Sequence, residues 1–188
     1  NLSEKGEQKI RGAAQAEWID RLESEYDNLR AALDWCIQSQ NTETALRILT
    51  ALGWPWEVRG RYREGQDWLE KIRNATDIGN HLGLFAKLLN HVGRQCWTQE
   101  NALEARTLLE ESQAISLSVG IEGELNLAET LNWLGLIKLF DDRDLQATKS
   151  MFEHRFALFQ KWNDQRGIAL SIFHLGILES ASNHDEVA

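Results

Sequence analysis

A chain of 188 residues, 43% hydrophobic and 26% charged, is long enough for an ordinary buried core, and a single proline leaves long stretches open to helix. Twenty-nine acidic against 20 basic residues give a net charge of −9 with no lysine or arginine run, which argues against a nucleic-acid or anionic-membrane surface on this segment. No stretch reaches the roughly 18 apolar residues of a membrane span. Cys36 and Cys96 lie in apolar helical patterns and read as buried, reduced thiols rather than a disulfide framework.

Residues 1–15 are polar and weakly patterned and read as a tail or frayed helix, with a repeat array over 16–188. Trp18, Leu22, Tyr26, Leu29, Leu33 and Cys36 step by three and four residues, which predicts one amphipathic helix over Glu17–Ser39. Asn41-Thr42 reads as the cap of a helix carrying Ala45, Leu46, Leu49 and Leu52. Pro55 should bend or shorten that helix, and Gly60 should end it. A helix with Trp68, Leu69 and Ile72 follows, then a connection through Gly79-Asn80, then a helix over Leu82–Thr98. Asn101, with Glu104 three residues on, caps the helix carrying Ala105, Leu108 and Leu109, which Gly120 stops. Glu124–Phe140 and Asp144–Trp162 form the next pair, and Gln165–Ser180 is the last helix. Nothing alternates like a strand, so the fold class is all-α, with short loops joining antiparallel neighbours.

One frame recurs along these helices. Leu89-x-x-Val92-Gly93 is followed by Ala105, Leu131-x-x-Leu134-Gly135 by Ala147, Leu49-x-x-Leu52-Gly53 by Gly65, and Ile172-x-x-Leu175-Gly176 by Ala188; in each the small residue stands 12 after the glycine. Glycine within a helix costs about 1 kcal/mol relative to alanine, so its return at one phase calls for a close crossing of helices. Each glycine is expected to face the small residue of the partner helix, with the large residues one and four positions before it filling the core. The frame resembles the tetratricopeptide repeat, which implies a solenoid of helix pairs with a concave binding groove. It departs from that family in its period, 40–42 residues here, and in lacking a proline at the end of each unit. HEAT-type repeats have the longer period but not the glycine–alanine frame.

A second resemblance concerns WIDRLESEYDNLRAALDW (Trp18–Trp35) and RGRYREGQDWLEKI (Arg59–Ile72). These stretches look like the region after the nucleotide-binding and winged-helix parts of bacterial STAND-type signalling ATPases, including LuxR-like and AfsR-like transcriptional regulators. The resemblance implies a cytoplasmic sensor or interaction arm of a larger regulator; the alternative is a stand-alone peptide-binding adaptor. A first residue of Asn1 and no signal peptide fit a segment of a longer chain.

The motifs of an enzyme are missing: no Gly-x-x-x-x-Gly-Lys-Ser/Thr loop, no His-Glu-x-x-His, no Cys-x-x-Cys and no Gly-x-Ser-x-Gly. The chain is therefore expected to be non-enzymatic and to need no cofactor or metal. Eight tryptophans are the unusual feature. Trp18, Trp35, Trp68 and Trp133 fall at packing phases. By the family's pattern the groove is lined at positions three before, one after and four after each glycine. The candidate binding set is Trp54, Asn90, Arg94, Trp97, Asn132, Leu136 and Phe173. Asparagine suits a peptide backbone, arginine a carboxylate and tryptophan an apolar anchor; the same positions also suit packing against a neighbouring helix. The implied partner is a protein, a peptide or a small inducer. The last helix is apolar nearly all round, and its own second helix would begin only near Asp185, so a homodimer through it is expected.

Overall fold

The computed structural model describes residues 15–75 and 77–185. The tail read at 1–15 lies, except for Gln15, outside the described residues, as does Ala188. Among the described residues there are nine helices and no strand: α1 (Gln15–Ser24), α2 (Tyr26–Gln38), α3 (Thr42–Val58), α4 (Tyr62–Ala75), α5 (Leu82–Thr98), α6 (Ala102–Ser118), α7 (Glu124–Phe140), α8 (Leu145–Lys161) and α9 (Gln165–Asp185). Short 3₁₀ turns at Gly79–His81 and Gly120–Gly123 precede α5 and α7. Among the described residues no helix is long and apolar enough to cross a membrane.

Four turns share one geometry. After α2, α3, α5 and α8 a single residue takes left-handed backbone: Gln40 (φ 57°), Gly60 (67°), Glu100 (61°) and Asn163 (51°). Two amides then close back on the helix: Gly60 N and Arg61 N bond Glu57 O and Trp56 O at 3.2 and 2.8 Å, and Glu100 N and Asn101 N bond Trp97 O and Cys96 O, both at 3.0 Å. This is the Schellman closure, and only Gly60 adopts it without a Cβ penalty. In three of these turns the next residue caps the following helix. Asn41 Oδ1 accepts from Thr44 N at 3.3 Å, Asn101 Oδ1 from Glu104 N at 3.4 Å and Asp164 Oδ1 from Gly167 N at 3.0 Å. Asp144 caps α8 in the same way, from Ala147 N at 2.9 Å. One residue thus ends one helix or starts the next within three positions, which sends consecutive helices back along each other.

The helices α3, α5 and α7 lie side by side, and α4, α6 and α8 each pack on the preceding one; α9 packs on α8. The large residues of the glycine frame are buried as the spacing predicts: Leu49 and Leu52, Leu89 and Val92, Leu131 and Leu134. In α9 the frame fails, with Ile172 56% exposed and Leu175 half-buried; among the described residues no further helix packs on that side.

The glycines do allow close approach, but to different neighbours. A Cβ on Gly93 would stand 2.9 Å from Leu109 Cγ and 3.3 Å from Ala105 O, the contact the frame predicts. At Gly53 it would instead strike the His91 ring at 2.6 Å, and at Gly135 the Phe152 ring at 2.5 Å. Gly176 has nothing within 4 Å. At Gly93 and Gly135 the close neighbour is on the following helix, whereas at Gly53 it is His91 of α5, the first helix of the next unit.

Four further expectations are corrected. The single helix over Glu17–Ser39 is two, broken at Glu25 (φ −101°, ψ 7°). There Ser24 Oγ bonds Arg21 O at 2.8 Å and competes with the helical ladder. Beyond the break Tyr26 turns inward, its hydroxyl donating to Glu64 Oε2 and accepting from Trp56 Nε1 at 2.7 Å. Pro55, expected to bend or shorten α3, does not shorten it: the helix runs on to Val58, as long as α5, α6, α7 and α8. Trp35 is 62% exposed, whereas Trp68 is buried. The last helix, expected to end at Ser180, continues to Asp185.

Candidate functional site

A groove of about 620 Å³ runs between α5 and α7. Lys87, Asn90, His91 and Arg94 form its α5 wall; Leu125, Asn126 and Glu129 form its α7 wall. Glu122, Phe159 and Asp164 close the end. Three other hollows are comparable in size. One of about 680 Å³ lies between α2 and α4, one of about 450 Å³ lies at the turns of α3–α4 and α5–α6, and one of about 460 Å³ lies between α8 and α9. The groove between α5 and α7 is lined by three buried polar side chains, Asn90 4% exposed, His91 7% and Arg94 6%, whereas the hollow at the turns has Gln95. Buried polar groups carry a desolvation cost and so need a structural or binding reason.

Part of the reason is a hydroxyl–amide network joining α5, α6 and α7. Ser112 Oγ donates to Ala86 O at 2.8 Å, and Thr130 Oγ1 donates to Asn126 O at 2.8 Å. Each hydroxyl has one hydrogen. With those hydrogens spent on carbonyls, the oxygens can only accept. Asn90 Nδ2 accordingly donates to Thr130 Oγ1 at 2.8 Å, and Asn126 Nδ2 to Ser112 Oγ and Ser116 Oγ at 3.1 and 2.9 Å. The network holds both amides with nitrogen inward.

Beside the groove lies an aromatic row that crosses three helices. The Arg94 guanidinium ion-pairs with Glu57 of α3 and sits 5.6 Å from the ring centroids of both Trp54 of α3 and Trp133 of α7. Trp97 packs on Trp133 at 5.7 Å and Phe140 at 6.4 Å, and its Nε1 donates to Asp141 Oδ2 at 3.2 Å. A guanidinium between two rings gains cation–π attraction that is larger when desolvated.

Of the candidate binding set, Asn90 and Arg94 line the groove, and Trp54 and Trp97 belong to the aromatic row beside it. Asn132 is 5% exposed, with Oδ1 buried and without a hydrogen-bond partner. Leu136 packs against the cluster of Leu139, Phe152 and Leu178 that joins α7, α8 and α9. Phe173 is 61% exposed on the outer side of α9. Residues not singled out from sequence are Lys87, His91, Asn126, Glu129 and Trp133. Trp133 stands two before Gly135, off the family's lining positions; its pairing with Trp97 was not readable from spacing.

Behind the groove's far end sits a buried arginine. Arg155 is 2% exposed, its Nη1 lies 3.2 Å from His174 Nδ1, its guanidinium lies 5.2 Å from the Phe159 centroid, and its Nε has no hydrogen-bond partner. Burial pushes its pKa down, against the attraction of Glu129 and Asp164. The same burial, together with Arg155, lowers His174 below the usual histidine range and favours its neutral ring.

The groove offers hydrogen-bonding edges and charges on rigid helices, suited to holding a ligand. The nearby Cys96 thiol is pushed up to about 11, by burial first and then by Glu104, so it is no nucleophile at neutral pH.

No protein-family model and no curated protein matches the sequence. The fold is similar to a solved structure described as the crystal structure of BtubC (BKLC) from P. vanneervenii. The TM-score is 0.65 at 14% identity, covering 97% of this chain and 80% of that one. At that identity the likeness speaks for the fold, an all-helical one.

Proposed function

We propose that residues 16–188 form a tetratricopeptide-like solenoid and that the chain is a non-enzymatic recognition arm whose concave groove takes a peptide segment of a partner protein. The first helices of the units are α3, α5, α7 and α9. The side-by-side order of α3, α5 and α7 and the Gly93–Ala105 contact support the repeat. The observation that carries the function is the groove between α5 and α7, about 620 Å³ with a floor of buried polar side chains. Asn90, tied to Thr130, and Arg94, paired with Glu57, hold this polar floor on rigid helices where a ligand can meet it.

The resemblance of Trp18–Trp35 and Arg59–Ile72 to the sensor region of STAND-type regulators sets this arm in a cytoplasmic signalling ATPase that controls transcription. A stand-alone adaptor is the alternative, and the flanking reading frame separates the two. An upstream phosphate loop with a winged helix supports the regulator, and a start codon directly before this segment supports the adaptor. A net charge of −9 makes nucleic acid and anionic membranes poor partners.

The test of the groove is display selection of a random dodecapeptide library on the purified chain, with each winner re-measured on Leu125→Trp. Leu125 is 44% exposed on the groove wall, so the larger ring fills the groove without entering the core. Winners that lose at least tenfold in affinity on Leu125→Trp support the reading. Winners indifferent to it, or no winners at all, overturn it.

A second surface supports a homodimer. On α9, Leu170, Ile172, Phe173 and Ile177 are 41, 56, 61 and 39% exposed on one side, around the open Gly176. An apolar face of this kind pairs most simply with its own copy across a two-fold axis. Light scattering on the chain at tens of micromolar should give a dimer mass that Phe173→Glu returns to monomer; a monomer before substitution removes the proposal.

A further inference from the structure

We infer that α9 is a pH-sensitive latch: it docks on α8 through a hydrogen bond that only the neutral His174 ring can accept, and it loosens when that ring takes a proton.

A guanidinium carries N–H donors and no acceptor. Arg155 Nη1 lies 3.2 Å from His174 Nδ1, so the arginine donates and Nδ1 holds a lone pair. The ring is then the neutral tautomer with its hydrogen on Nε2. A protonated ring has a hydrogen on each nitrogen. It would lose this bond and set two cations against each other across the same gap. Arg155 is 2% exposed and its Nε has no hydrogen-bond partner, so it depends on His174 for the bond that protonation removes. The His174 ring stacks on Phe152 at 5.4 Å, and Phe152 is buried with Leu139 of α7 and Leu178 of α9. The proton therefore arrives where α7, α8 and α9 meet.

No neighbouring carboxylate offsets it. Glu129 of α7 and Asp164 of the α8–α9 turn attract Arg155 from beyond ion-pair distance, and Asp164 Oδ1 caps α9, taking Arg166 N and Gly167 N at 3.1 and 3.0 Å. On α8, Glu153 and His154 adjoin Arg155 in sequence but are exposed, and Lys161 pairs with Glu124 of α7. Lys149 and Glu179 stand in the hollow between α8 and α9. Between Arg166 and Glu179, His174 is the one titratable side chain of α9. The charge that acts on the ring is that of Arg155, and it adds to burial in disfavouring the protonated form. A ring held neutral in the docked helix and free to titrate in the loose one binds more protons when loose. Docking is therefore weakened as pH falls below about 6.5, the ordinary histidine value, and the loss grows until the docked ring also takes its proton. Phe159 and Asp164, which close the far end of the groove, surround the same guanidinium, so a loosened α9 opens that end. The latch itself does not depend on what the groove binds.

Hydrogen exchange read helix by helix by mass spectrometry tests this on the whole chain at about pH 7.5 and about pH 5.5, with labelling times scaled to the intrinsic exchange rate. One proton per opening lowers the protection of α9 by up to about tenfold across that range. His91, the buried histidine of α5, lies against Gly53 of α3, so its titration registers in those helices rather than in α9. His174→Asn offers an acceptor oxygen but no titrating nitrogen and should show no loss in α9. Arg155→Met should lose less than the parent, because its ring takes a proton without facing a cation. A parent α9 protected equally at both values overturns the latch, as does an equal loss in His174→Asn or an undiminished one in Arg155→Met. If His174→Asn does not fold, the C2 proton of His174 decides by nuclear magnetic resonance. A midpoint below the ordinary histidine range in the parent, rising in Arg155→Met, supports the latch; an ordinary midpoint in the parent overturns it.

Discussion

Two glycines at the same phase of the frame should respond to alanine in opposite directions. At Gly135 the new methyl would stand 2.5 Å from Phe152 Cε1 and 2.9 Å from Cδ1. Carbon atoms settle at about 3.5–4.0 Å, so the ring must retreat by about 1 Å. Phe152 is 1% exposed and stacked on His174 at 5.4 Å, so it has no free side to move into. Overpacking of this kind costs about 1–3 kcal/mol, and the tighter clashes belong at the upper end. Removing glycine from a helix interior returns about 1 kcal/mol. The net loss for Gly135→Ala is about 1–2 kcal/mol, or about 2–8 °C in Tm for a chain of this size. At Gly176 nothing lies within 4 Å, so only the helix term remains. Gly176→Ala should gain up to about 1 kcal/mol and raise Tm by about 2–4 °C. Because Leu178 is buried with Leu139 and Phe152, α9 melts with that cluster and the gain registers in the main transition. Thermal and guanidinium unfolding followed by circular dichroism at 222 nm reads both. A Gly135→Ala chain that melts at or above the parent would refute the crossing argument, and so would a Gly176→Ala chain that melts below it.

Three other expectations follow from buried or paired charges. Cys36 and Cys96 are 2 and 3% exposed and burial raises both pKa values. A disulfide reagent at pH 7 should titrate them only after unfolding, and reaction within seconds in the native chain would contradict the packing. Asp142 is held down to about 2 by hydrogen bonds from Arg106 and then Lys138. Its folded pKa lies below its unfolded one, so the stability it lends is present above about pH 4 and disappears as pH falls toward 2. Asp142→Asn should therefore lower Tm at pH 7 and leave it unchanged at pH 2; equal melting at both values would remove the ion pair from the account. Arg155→Met replaces a buried guanidinium that meets no carboxylate within ion-pair distance among the described residues. It should melt at or above the parent, with the His174 pKa moving up once the neighbouring charge is gone. A fall of more than 5 °C would mean that Arg155 holds the α8–α9 contact together.

What the sequence shows well is local chemistry. The caps at Asn41, Asn101 and Asp144 are side chains bonding amides three residues on, and Gly60 and Gly120 take the positive φ for which glycine is cheapest. The buried pairs before Gly53, Gly93 and Gly135 follow from period alone. Legibility drops where the outcome depends on what another helix does. Gln40, Glu100 and Asn163 take the same left-handed geometry as Gly60, but their residue types did not announce it. The break at Glu25 needs the distant Trp56 and Glu64 to draw Tyr26 inward. In the candidate site, the offsets from glycine identify a helix face but not its occupant. Leu136 and Trp133 are three residues apart on α7; one packs into the cluster that includes α9 and the other flanks Arg94. The orientation of Asn90 and Asn126 was beyond reach altogether, since it rests on where two hydroxyl hydrogens go.

The Asn90–Thr130 pair allows recognition in the groove to be separated from stability. Thr130 is fully buried and its Oγ1 accepts from Asn90 Nδ2 while donating to Asn126 O. Thr130→Val keeps the shape and removes the acceptor. Asn90 is then left with a buried donor and no partner, which costs about 1–3 kcal/mol. Asn90→Leu alone strands nothing as polar as an amide nitrogen, but it loses the bond. With both changes the two polar partners are gone together and an apolar contact replaces them, a swap that is close to neutral. The double variant should therefore recover most of the Thr130→Val loss, with a coupling of about 0.5–3 kcal/mol in the cycle. Function should not recover with it. Leucine at 90 has no amide to offer the groove, so a groove winner should bind the refolded double variant several-fold more weakly than the parent. Thr130→Val melting like the parent would show that the hydroxyl is not the acceptor the geometry makes it. Full binding by a stable Asn90→Leu, Thr130→Val chain would take Asn90 out of recognition and leave other residues of the groove to account for the ligand.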